Sequence, residues 1–306
     1  MVPLPFLPAR PLKSQHVLAV DIGGTKFRAG IVSPDGEVRG SALVSTPKAA
    51  GAETLWSTLA ALVLDVLDLA HARDVVACGV GCGGPMRDSG DAVSPLNIPG
   101  WRDFKLRSRL QALTGLPTFV DNDAKALALG EGRYGRATMV DDYLAMVVST
   151  GIGGGLVVDG RLLDGRLGNA GHVGHVIVEP DGRTCACGAR GCLEAEASGT
   201  AIEAITGRPP AEAPPHVVER TGMLVGRAVA SVASLLDLDL VVVAGSVALG
   251  YGAPFFAAAQ QELSARARLS FVADAKIVPG GLGADGPLAG AAAVGFYGME
   301  RASSRS

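Results

Sequence analysis

The chain has 306 residues, of which 48% are hydrophobic and 19% are charged, a composition typical of a globular protein large enough for two lobes. Its net charge of −3 and the lack of a run of Lys or Arg argue against nucleic acid as a partner. Intrinsic disorder is not indicated.

Two stretches bear on membrane targeting. Residues 1–15 contain four prolines and lack the charged start and continuous apolar run of a signal peptide, so we interpret them as a loose tail. The apolar stretch Leu224–Gly245 is interrupted by Arg227, Asp237 and Asp239, which favours a helix followed by a strand over a membrane span. We therefore expect a cytoplasmic protein with no membrane partner.

Apolar periodicity and turn residues define the elements of the first half of the chain. A three-stranded meander with a glycine-rich first turn begins at His16. It is followed by a predicted helix over Glu53–Arg73, a strand over Val75–Val80, a helix over Asp103–Thr114, a strand over Thr118–Val120 and a helix over Ala124–Tyr134.

The second half repeats the opening pattern of strand, glycine-rich tip, strand and turn. The pattern predicts a strand over Tyr143–Ser149, a glycine turn over Thr150–Gly155, a strand over Leu156–Val158, a helix over Val217–Leu236, a strand over Leu240–Val243 and a final helix from about Pro287. Strands alternating with helices indicate an α/β protein. The weak internal repeat predicts two lobes of similar topology around a cleft.

Both glycine-rich tips are candidate phosphate sites. In Asp21–Lys26 the glycines let backbone N–H groups approach an oxyanion, Thr25 adds a hydroxyl donor, and Asp21 is suited to hold Mg²⁺ through water. The second tip, Ser149–Gly155, does not fit the dinucleotide fingerprint because Leu156 occupies the last glycine position. An ordinary turn explains either tip taken alone, but two tips at equivalent points of a repeat favour phosphate binding.

The five cysteines fall into two groups. Cys78 and Cys82 lie in an apolar run and are predicted to be buried thiols. The other three follow a histidine in the spacing H-x9-C-x-C-x4-C, which suits a closed tetrahedral Zn²⁺ site made by His175, Cys185, Cys187 and Cys192. A disulfide is the alternative, but it leaves an odd thiol and fits a cytoplasmic protein poorly.

Seven motifs, in order, carry a resemblance to a known family: VDIGGTKFRAGIV, GVGCGGP, SPLNIPGW, VDNDAKALALGEGRYG, STGIGGGLVVDGRLLDGRLGNAGHVGH, CACGARGCLEAEASG and VVVAGSVA. From about His16 to about Gly298 the chain resembles the ROK family of sugar kinases and sugar-responsive repressors, within the actin, hexokinase and Hsp70 superfamily. The resemblance implies a two-lobed, actin-like ATPase (ribonuclease H-like) α/β fold. The expected lobes are residues 1–122, with a C-terminal helix over about 289–302 packing back, and residues 123–288.

The resemblance also implies the roles of individual residues. Asn122 and Asp123 bind the sugar, and Asp123 accepts the proton of the attacking hydroxyl. The implied sugar contacts are Gly84, Asn97, Asn122, Asp123, His172, His175 and Glu194. The implied ATP and phosphate contacts are Asp21, Gly23, Gly24, Thr25, Lys26, Thr150, Gly151, Gly153, Gly154, Gly245 and Ser246. ATP with Mg²⁺, a structural Zn²⁺ and a homo-oligomer, either dimer or tetramer, complete the expectation.

The chain departs from the family pattern at three places. His172 stands where most members have a Glu that contacts hydroxyls near C1 and C2 of the sugar, and this variant resembles some bacterial N-acetylmannosamine kinases. Lys125 stands where Asn is common, and we expect it at the surface. The segment Thr206–Pro215 is shorter than the helical segment usual in the family, so we expect contacts between subunits that differ from those of other members.

These features leave three functions to compare. We expect transfer to the 6-hydroxyl of N-acetylmannosamine or of glucose, with other phosphoryl donors such as polyphosphate left open. A sugar-binding regulator of the same family is less expected because only twenty residues precede Asp21, too few for a winged-helix domain, and because Asp21 and Asp123 are both present. A dinucleotide-dependent oxidoreductase is weakened by the incomplete glycine fingerprint.

Overall fold

The structure is a computed structural model that describes residues 15–69, 74–88 and 90–304. These residues separate into two compact units. The first contains the described residues up to Tyr134, the segment Asp164–Ala170 and those from Leu282 onward, and the second contains Gly135–Leu163 and Gly171–Gly281. Each unit is built around a five-stranded sheet. Of the tail predicted over residues 1–15, residues 1–14 lie outside the described residues.

The first unit alternates strands and helices as its sequence pattern predicts. Its described elements are β1 (His16–Ile22), β2 (Lys26–Val32), β3 (Val38–Ser45), α1 (Ala52–Leu69), β4 (Val75–Cys82), β5 (Met86–Arg87), β6 (Ala92–Val93), β7 (Phe104–Lys105), α2 (Leu106–Thr114), β8 (Thr118–Asn122) and α3 (Asp123–Tyr134). The C-terminal helix α9 (Gly286–Ser303) completes this unit. The helix predicted over 103–114 begins later because Phe104 and Lys105 pair in a small sheet with the order β5-β6-β7.

The second unit has its own strands and helices. They are β9 (Tyr143–Val148), β10 (Ile152–Val158), β11 (Arg161–Leu162), α4 (Leu193–Ala197), α5 (Gly199–Thr206), α6 (Pro215–Leu236), β12 (Leu240–Ala244), α7 (Ser246–Tyr251), α8 (Ala253–Arg266) and β13 (Lys276–Pro279). A short 3-10 helix over Val173–His175 lies between β11 and α4. The last helix of the chain, α9 (Gly286–Ser303), belongs to the first unit.

The two sheets have related topologies. The first has the order β3-β2-β1-β4-β8, in which β1, β2 and β3 are antiparallel and β4 and β8 run parallel to β1. The second has the order β11-β10-β9-β12-β13, in which β9, β10 and β11 are antiparallel and β12 and β13 run parallel to β9. Each sheet therefore combines one antiparallel meander with two parallel strands, as the repeat in the sequence predicts.

Helices cover both faces of the first sheet. Because successive side chains of a strand point to opposite faces, β1 contributes to a cluster on each side. Leu18 and Val20 of β1 pack in a cluster with apolar residues of α1 and α2, whereas Val17 and Ala19 pack in a cluster with α9. A Cβ atom added at Gly79 of β4 would collide with the backbone of α9. Glycine at this position therefore allows α9 to lie directly on the sheet.

Helix α3 belongs to the first unit, whereas the lobe boundary predicted from the sequence follows residue 122. The reason is close packing of α3 against α9: a Cβ atom on Gly130 would lie 3.0 Å from the Cα of Gly290. Such a contact between two helix backbones has no local sequence pattern that assigns it to one lobe or the other.

Two further predictions can be compared with the structure. Strand β10 begins at Ile152, so the glycine turn predicted over Thr150–Gly155 is shorter and its later glycines lie in a strand. Among the described residues, no helix is both long and apolar enough to cross a membrane.

Candidate active site

The carboxyl ends of three strands meet at one edge of the first sheet. Ile22 of β1 is paired with Cys82 of β4, and Cys82 is paired with Asn122 of β8. Because β4 and β8 run parallel to β1, the residues at these ends are brought to the same place. Asp21, the loop after Cys82 and the pair Asn122–Asp123 therefore lie close together, although they are far apart in sequence.

The hairpin between β1 and β2 forms the first glycine-rich tip. The Gly23 amide donates to the Lys26 carbonyl at 3.0 Å, which closes the turn. Thr46, at the end of β3, donates through its hydroxyl to the Gly23 carbonyl at 2.8 Å and through its amide to the Thr25 carbonyl at 3.0 Å. The tip is thus held in place by a third strand, which keeps its backbone in one geometry.

Asp21 is a perturbed carboxyl beside this tip. Its pKa is raised from 3.8 to about 6, chiefly by burial and next by repulsion from Asp123, while Lys26 and Arg28 act in the opposite direction. The buried thiol of Cys82 also has a raised pKa, first from burial and then from the charges of Asp123 and Asp21. Two carboxylates at close quarters form a hard-oxygen donor set of the kind that suits Mg²⁺.

The junction of β8 and α3 orients Asn122 and Asp123. The Ala124 amide donates to Asn122 Oδ1 at 3.0 Å and to Asp123 Oδ1 at 2.9 Å. Both side chains therefore cap the first turn of α3. The bond from the Ala124 amide fixes one carboxylate oxygen of Asp123, and the residue is exposed.

Gly84 and Asn97 lie at the same edge. A Cβ atom on Gly84 would lie 3.5 Å from the side-chain nitrogen of Asn122, and one on Gly24 would lie 2.8 Å from the Cβ of Asn97. The second of these distances is too short for any residue but glycine. The predicted residues Asp21, Gly24, Gly84, Asn97, Asn122 and Asp123 are therefore gathered in one region of the first unit.

A pocket of about 500 Å³ adjoins Gly24 and Asn97 and is lined on its other side by Thr46–Gly51. The exposed Lys48 lies in this wall and has no ion-pair partner among the described residues. No motif in the sequence distinguishes Lys48. The only available signal was the Thr-Pro-Lys run after the third strand, which is also an ordinary way to end a strand.

The second tip, Ser149–Gly151, joins β9 to β10 in the second unit. Its carbonyls accept hydrogen bonds at the start of α5: the Gly199 amide donates to the Ser149 carbonyl at 2.7 Å, and the Thr200 hydroxyl donates to the Thr150 carbonyl at 3.0 Å. The hydroxyls of Ser149 and Ser246 are 2.9 Å apart, so the predicted residues Gly245 and Ser246 lie beside this tip.

Gly153 and Gly154 were also predicted at the phosphate tip, but both lie within strand β10. Gly154 is buried, and a Cβ atom there would lie 2.8 Å from the Val173 side chain. Packing against the 3-10 helix is therefore sufficient to require glycine at this position. Its predicted contact with phosphate stays a prediction.

Glu194, His172 and His175 lie near one another in the second unit. The Ile152 amide donates to Glu194 Oε2 at 2.8 Å, which ties Glu194 to the end of the second tip. His172 immediately precedes the 3-10 helix and His175 is its last residue, and the centroids of their rings are 6.0 Å apart. The short spacing between Cys192 and Glu194 links this group to the cysteine loop.

His175, Cys185, Cys187 and Cys192 converge as their spacing predicts. Their ligand atoms all lie within 4.8 Å of one another. Sγ of Cys185 is 3.7 Å from His175 Nδ1, and Sγ of Cys187 is 3.7 Å from Sγ of Cys192. A tetrahedral Zn²⁺ site with Zn–S bonds of about 2.3 Å places its sulfurs about 3.8 Å apart. The cluster therefore fits such an ion, and its three cysteines form no disulfide bonds.

The expectation that Lys125 lies at the surface is wrong. Its side chain is 2% exposed and forms ion pairs with Asp121 at 2.9 Å and with Asp164 at 3.0 Å. Asp164 lies 39 residues further along the chain, so no local pattern in the sequence indicates this contact. By contrast, the buried thiols predicted at Cys78 and Cys82 are confirmed, since both residues are fully buried.

Comparisons with known proteins agree with the motifs. The family model described as ROK family matches residues 17–295. An N-acetylmannosamine kinase of Escherichia fergusonii is 38% identical over 251 residues, covering 77% of this chain and 84% of that protein. A crystal structure of ROK hexokinase from Thermus thermophilus has a TM-score of 0.82 and 33% identity, covering 94% of this chain and 100% of that one. A ROK glucokinase from Streptomyces griseus, crystallised with glucose and AMPPNP, has a TM-score of 0.78 and 29% identity, covering 92% and 99%.

These structural similarities, together with the strand order of the two sheets, identify the fold as that of the actin-like ATPases. The α/β class and the fold expected from the motifs are both confirmed.

The raised pKa of Asp21 predicts a pH-dependent stability. A carboxyl that ionises less readily in the folded chain stabilises the fold while it is protonated, below about pH 4, and this stabilisation is lost as the pH rises to about 6. Asp21→Asn cannot ionise, so above pH 6 its free energy of unfolding should exceed that of the wild type by on the order of 2 kcal/mol, with little difference at pH 4. Urea unfolding from pH 4 to 8, without magnesium or nucleotide, measures the difference.

Asp65→Asn, at an exposed position of α1, is the matched control. A difference between Asp21→Asn and wild type that stays constant from pH 4 to 8 would contradict the assignment of a raised pKa to Asp21.

Proposed function

Because the chain belongs to the ROK family, we propose that it is an ATP-dependent sugar kinase. The observation that carries the proposal is the meeting of Asp123, Asp21 and a glycine-rich hairpin tip at one edge of the first sheet. Phosphoryl transfer to a hydroxyl requires a base for the hydroxyl proton, a cradle for phosphate and a place for a divalent cation, and these residues can supply all three. The names of the E. fergusonii, T. thermophilus and S. griseus proteins support the same activity.

We assign Asp123 as the catalytic base. Its carboxylate accepts the proton of the sugar 6-hydroxyl as that oxygen forms a bond to the γ-phosphorus of ATP, and the bond from the γ-phosphorus to the β,γ-bridging oxygen breaks to release ADP. The hydrogen bond from the Ala124 amide fixes one Asp123 oxygen and so orients the other. Asn122, held by the same amide, binds the sugar beside it together with Gly84 and Asn97.

The remaining polar groups serve the phosphates. Asp21 would hold Mg²⁺ through water, and the ion would offset the repulsion between Asp21 and Asp123 and neutralise charge on the transferred phosphoryl group. We assign the backbone of Gly23–Lys26 to the transferred phosphoryl group. The tip at Thr150 and Gly151, with Gly245 and Ser246 beside it, is assigned to the remaining phosphates and the nucleotide.

For the sugar, we propose N-acetylmannosamine. A neutral imidazole at His172 offers a donor and an acceptor where a carboxylate would only accept, so it can donate to the carbonyl of a 2-acetamido group. The sequence similarity to an N-acetylmannosamine kinase supports this choice. His175 and Glu194 complete the proposed sugar contacts. Glucose is the second candidate, favoured by the structural similarity to a glucokinase crystallised with glucose.

For the cluster of His175, Cys185, Cys187 and Cys192, we propose a structural Zn²⁺. One imidazole and three thiolates make a closed tetrahedral set, which leaves no position for a substrate. By binding one ion, the four side chains would hold the loop before Glu194 in one conformation. The chain between β11 and α4 has little regular secondary structure of its own to do this.

The assignment of the base predicts the behaviour of Asp123→Asn. The amide keeps the shape and the helix cap but cannot accept a proton, so kcat should fall by on the order of 10²-fold or more while the sugar still binds. A coupled ADP-release assay over glucose, mannose, N-acetylglucosamine and N-acetylmannosamine measures kcat, with Asp65→Asn as the control. If Asp123→Asn keeps a near wild-type kcat, Asp123 is not the base. If none of the four sugars makes the wild type release ADP, the kinase proposal fails.

The zinc assignment predicts about one zinc ion per chain in protein purified without chelator. Cys187→Ser should lower the zinc content and the melting temperature, because the loop loses a ligand of the ion that cross-links it. Cys78→Ala is the control, since this thiol is buried away from the cluster. Metal analysis and thermal unfolding test the assignment, and an unchanged zinc content in Cys187→Ser would refute it.

The sugar assignment predicts that kcat/KM for N-acetylmannosamine exceeds that for glucose by at least about tenfold, because a mispaired buried polar group costs ~1–3 kcal/mol. His172→Glu should reverse or abolish this preference, whereas His216→Glu, at an exposed position of α6, should not change it. A wild type that prefers glucose, with His172→Glu showing the same preference, would contradict a role for His172 in selecting the sugar.

A further inference from the structure

Lys125 is a buried charge next to the proposed catalytic pair. It lies on α3 two residues after Asp123, and its side chain is 2% exposed. Its ammonium donates to Asp164 Oδ1 at 3.0 Å, forms an ion pair with Asp121 Oδ1 at 2.9 Å and approaches the Gly168 carbonyl at 3.4 Å. One side chain thus joins the end of strand β8 to the segment Asp164–Ala170, and all of these residues belong to the first unit.

At one end of this network, Lys125 acts on the backbone that carries Asn122. Asp121 Oδ1 accepts both from Lys125 Nζ at 2.9 Å and from the Asn122 amide at 2.8 Å. The Lys125 ammonium therefore holds the Asp121 carboxylate in place, and that carboxylate holds the Asn122 amide. The orientation of Asn122, and of Asp123 after it, thus depends on Lys125 through Asp121.

At the other end, the segment Asp164–Ala170 holds the loop that carries Gly84. The side-chain amide of Asn169 accepts from the Met86 amide at 3.3 Å and donates to the Met86 carbonyl at 3.3 Å. Asp164 is fixed by Lys125 and also by Arg301, which donates to its second oxygen at 2.9 Å. The segment is therefore anchored at its start by Lys125 and Arg301 and near its end by Met86.

The charge on Lys125 persists at neutral pH. Burial by itself lowers the pKa of the ammonium, but the Asp121 and Asp164 carboxylates outweigh it, so the pKa lies above its usual value. A buried ion pair is weak support for stability alone, because apolar residues of similar volume often serve as well. The ammonium makes directional contacts with two segments of the chain, the end of β8 and Asp164–Ala170, which an apolar side chain could not make.

We propose that Lys125 is a positioning residue for sugar binding, which sets Asn122–Asp123 and the Gly84–Met86 loop in register through Asp121 and the segment Asp164–Ala170. The inference rests on the proposed function, because it takes Gly84, Asn122 and Asp123 as sugar contacts. It assigns to Lys125 no contact with the sugar itself.

The test compares Lys125→Met, Asp164→Asn and the double variant with wild type. Lys125→Met should raise KM and the ATP-free Kd for the sugar that wild type phosphorylates by about tenfold, the scale of coupling within one network, while KM for ATP changes by less than about twofold. Asp164→Asn should raise the sugar KM in the same way, and the double variant should be no worse than Lys125→Met. Lys105→Met, which removes an exposed ion pair with Asp91 in the same unit, should leave all constants unchanged.

A merely structural role predicts another pattern: a lower melting temperature and less active protein, with unchanged KM and Kd for sugar in the fraction that folds. That pattern, or additive effects in the double variant, would overturn the proposal. If Lys125→Met does not fold, Asp164→Asn decides in the same way, since its side chain is 41% exposed and can be hydrated.

Hydrogen exchange separates this inference from the proposed function. The amides of residues 164–170 should exchange faster in Lys125→Met than in wild type and Lys105→Met, without any substrate present. Faster exchange in a protein that phosphorylates no sugar would overturn the kinase proposal but keep the network. Unchanged exchange in an active kinase would overturn the role of Lys125 alone.

Discussion

The repulsion between the carboxylates of Asp21 and Asp123 is a direct result of how the first sheet is ordered. Strands β1, β4 and β8 lie side by side and run in one direction, so the residues that follow them meet at one edge. Burial and Asp123 together raise the pKa of Asp21 to about 6. The apolar clusters on both faces of the sheet, with α1 and α2 on one side and α9 on the other, must offset this unfavourable charge pair.

The same edge explains why glycine recurs around it. Gly24 approaches the backbone and side chain of Asn97, and Gly84 approaches the amide of Asn122, so side chains at these positions would fill the space beside the two carboxylates. Backbone thus lines much of the region, and backbone amides can approach an anionic ligand there. The glycine contacts that leave space for a ligand are also among the contacts that hold the three strand ends together.

In the second unit a different device holds the proposed contacts. His172 and His175 lie in the stretch between β11 and α4, which has one short 3-10 helix, two isolated bridges and the cysteine loop, and Glu194 lies in the first turn of α4. Such a stretch has little regular secondary structure to order its backbone. Four side chains that converge within 4.8 Å can cross-link it when they share one ion. Glu194, two residues after Cys192, is positioned by its bond from the Ile152 amide.

Features that depend on residues close together in the chain could be predicted from the sequence alone. Short continuous apolar runs bounded by turn residues predicted the strands β1, β4, β9 and β12, because a strand buried on both faces is apolar at consecutive positions. The motifs predicted the fold and the family, and the cysteine spacing predicted the cluster at His175, because its ligands lie within eighteen residues. Features that depend on distant residues become visible only in the folded chain. There Lys125 is buried against Asp164, α3 packs on α9 at Gly130 and Gly290, and Lys48 lines the same pocket as Gly24, and in each case the segments share no local pattern.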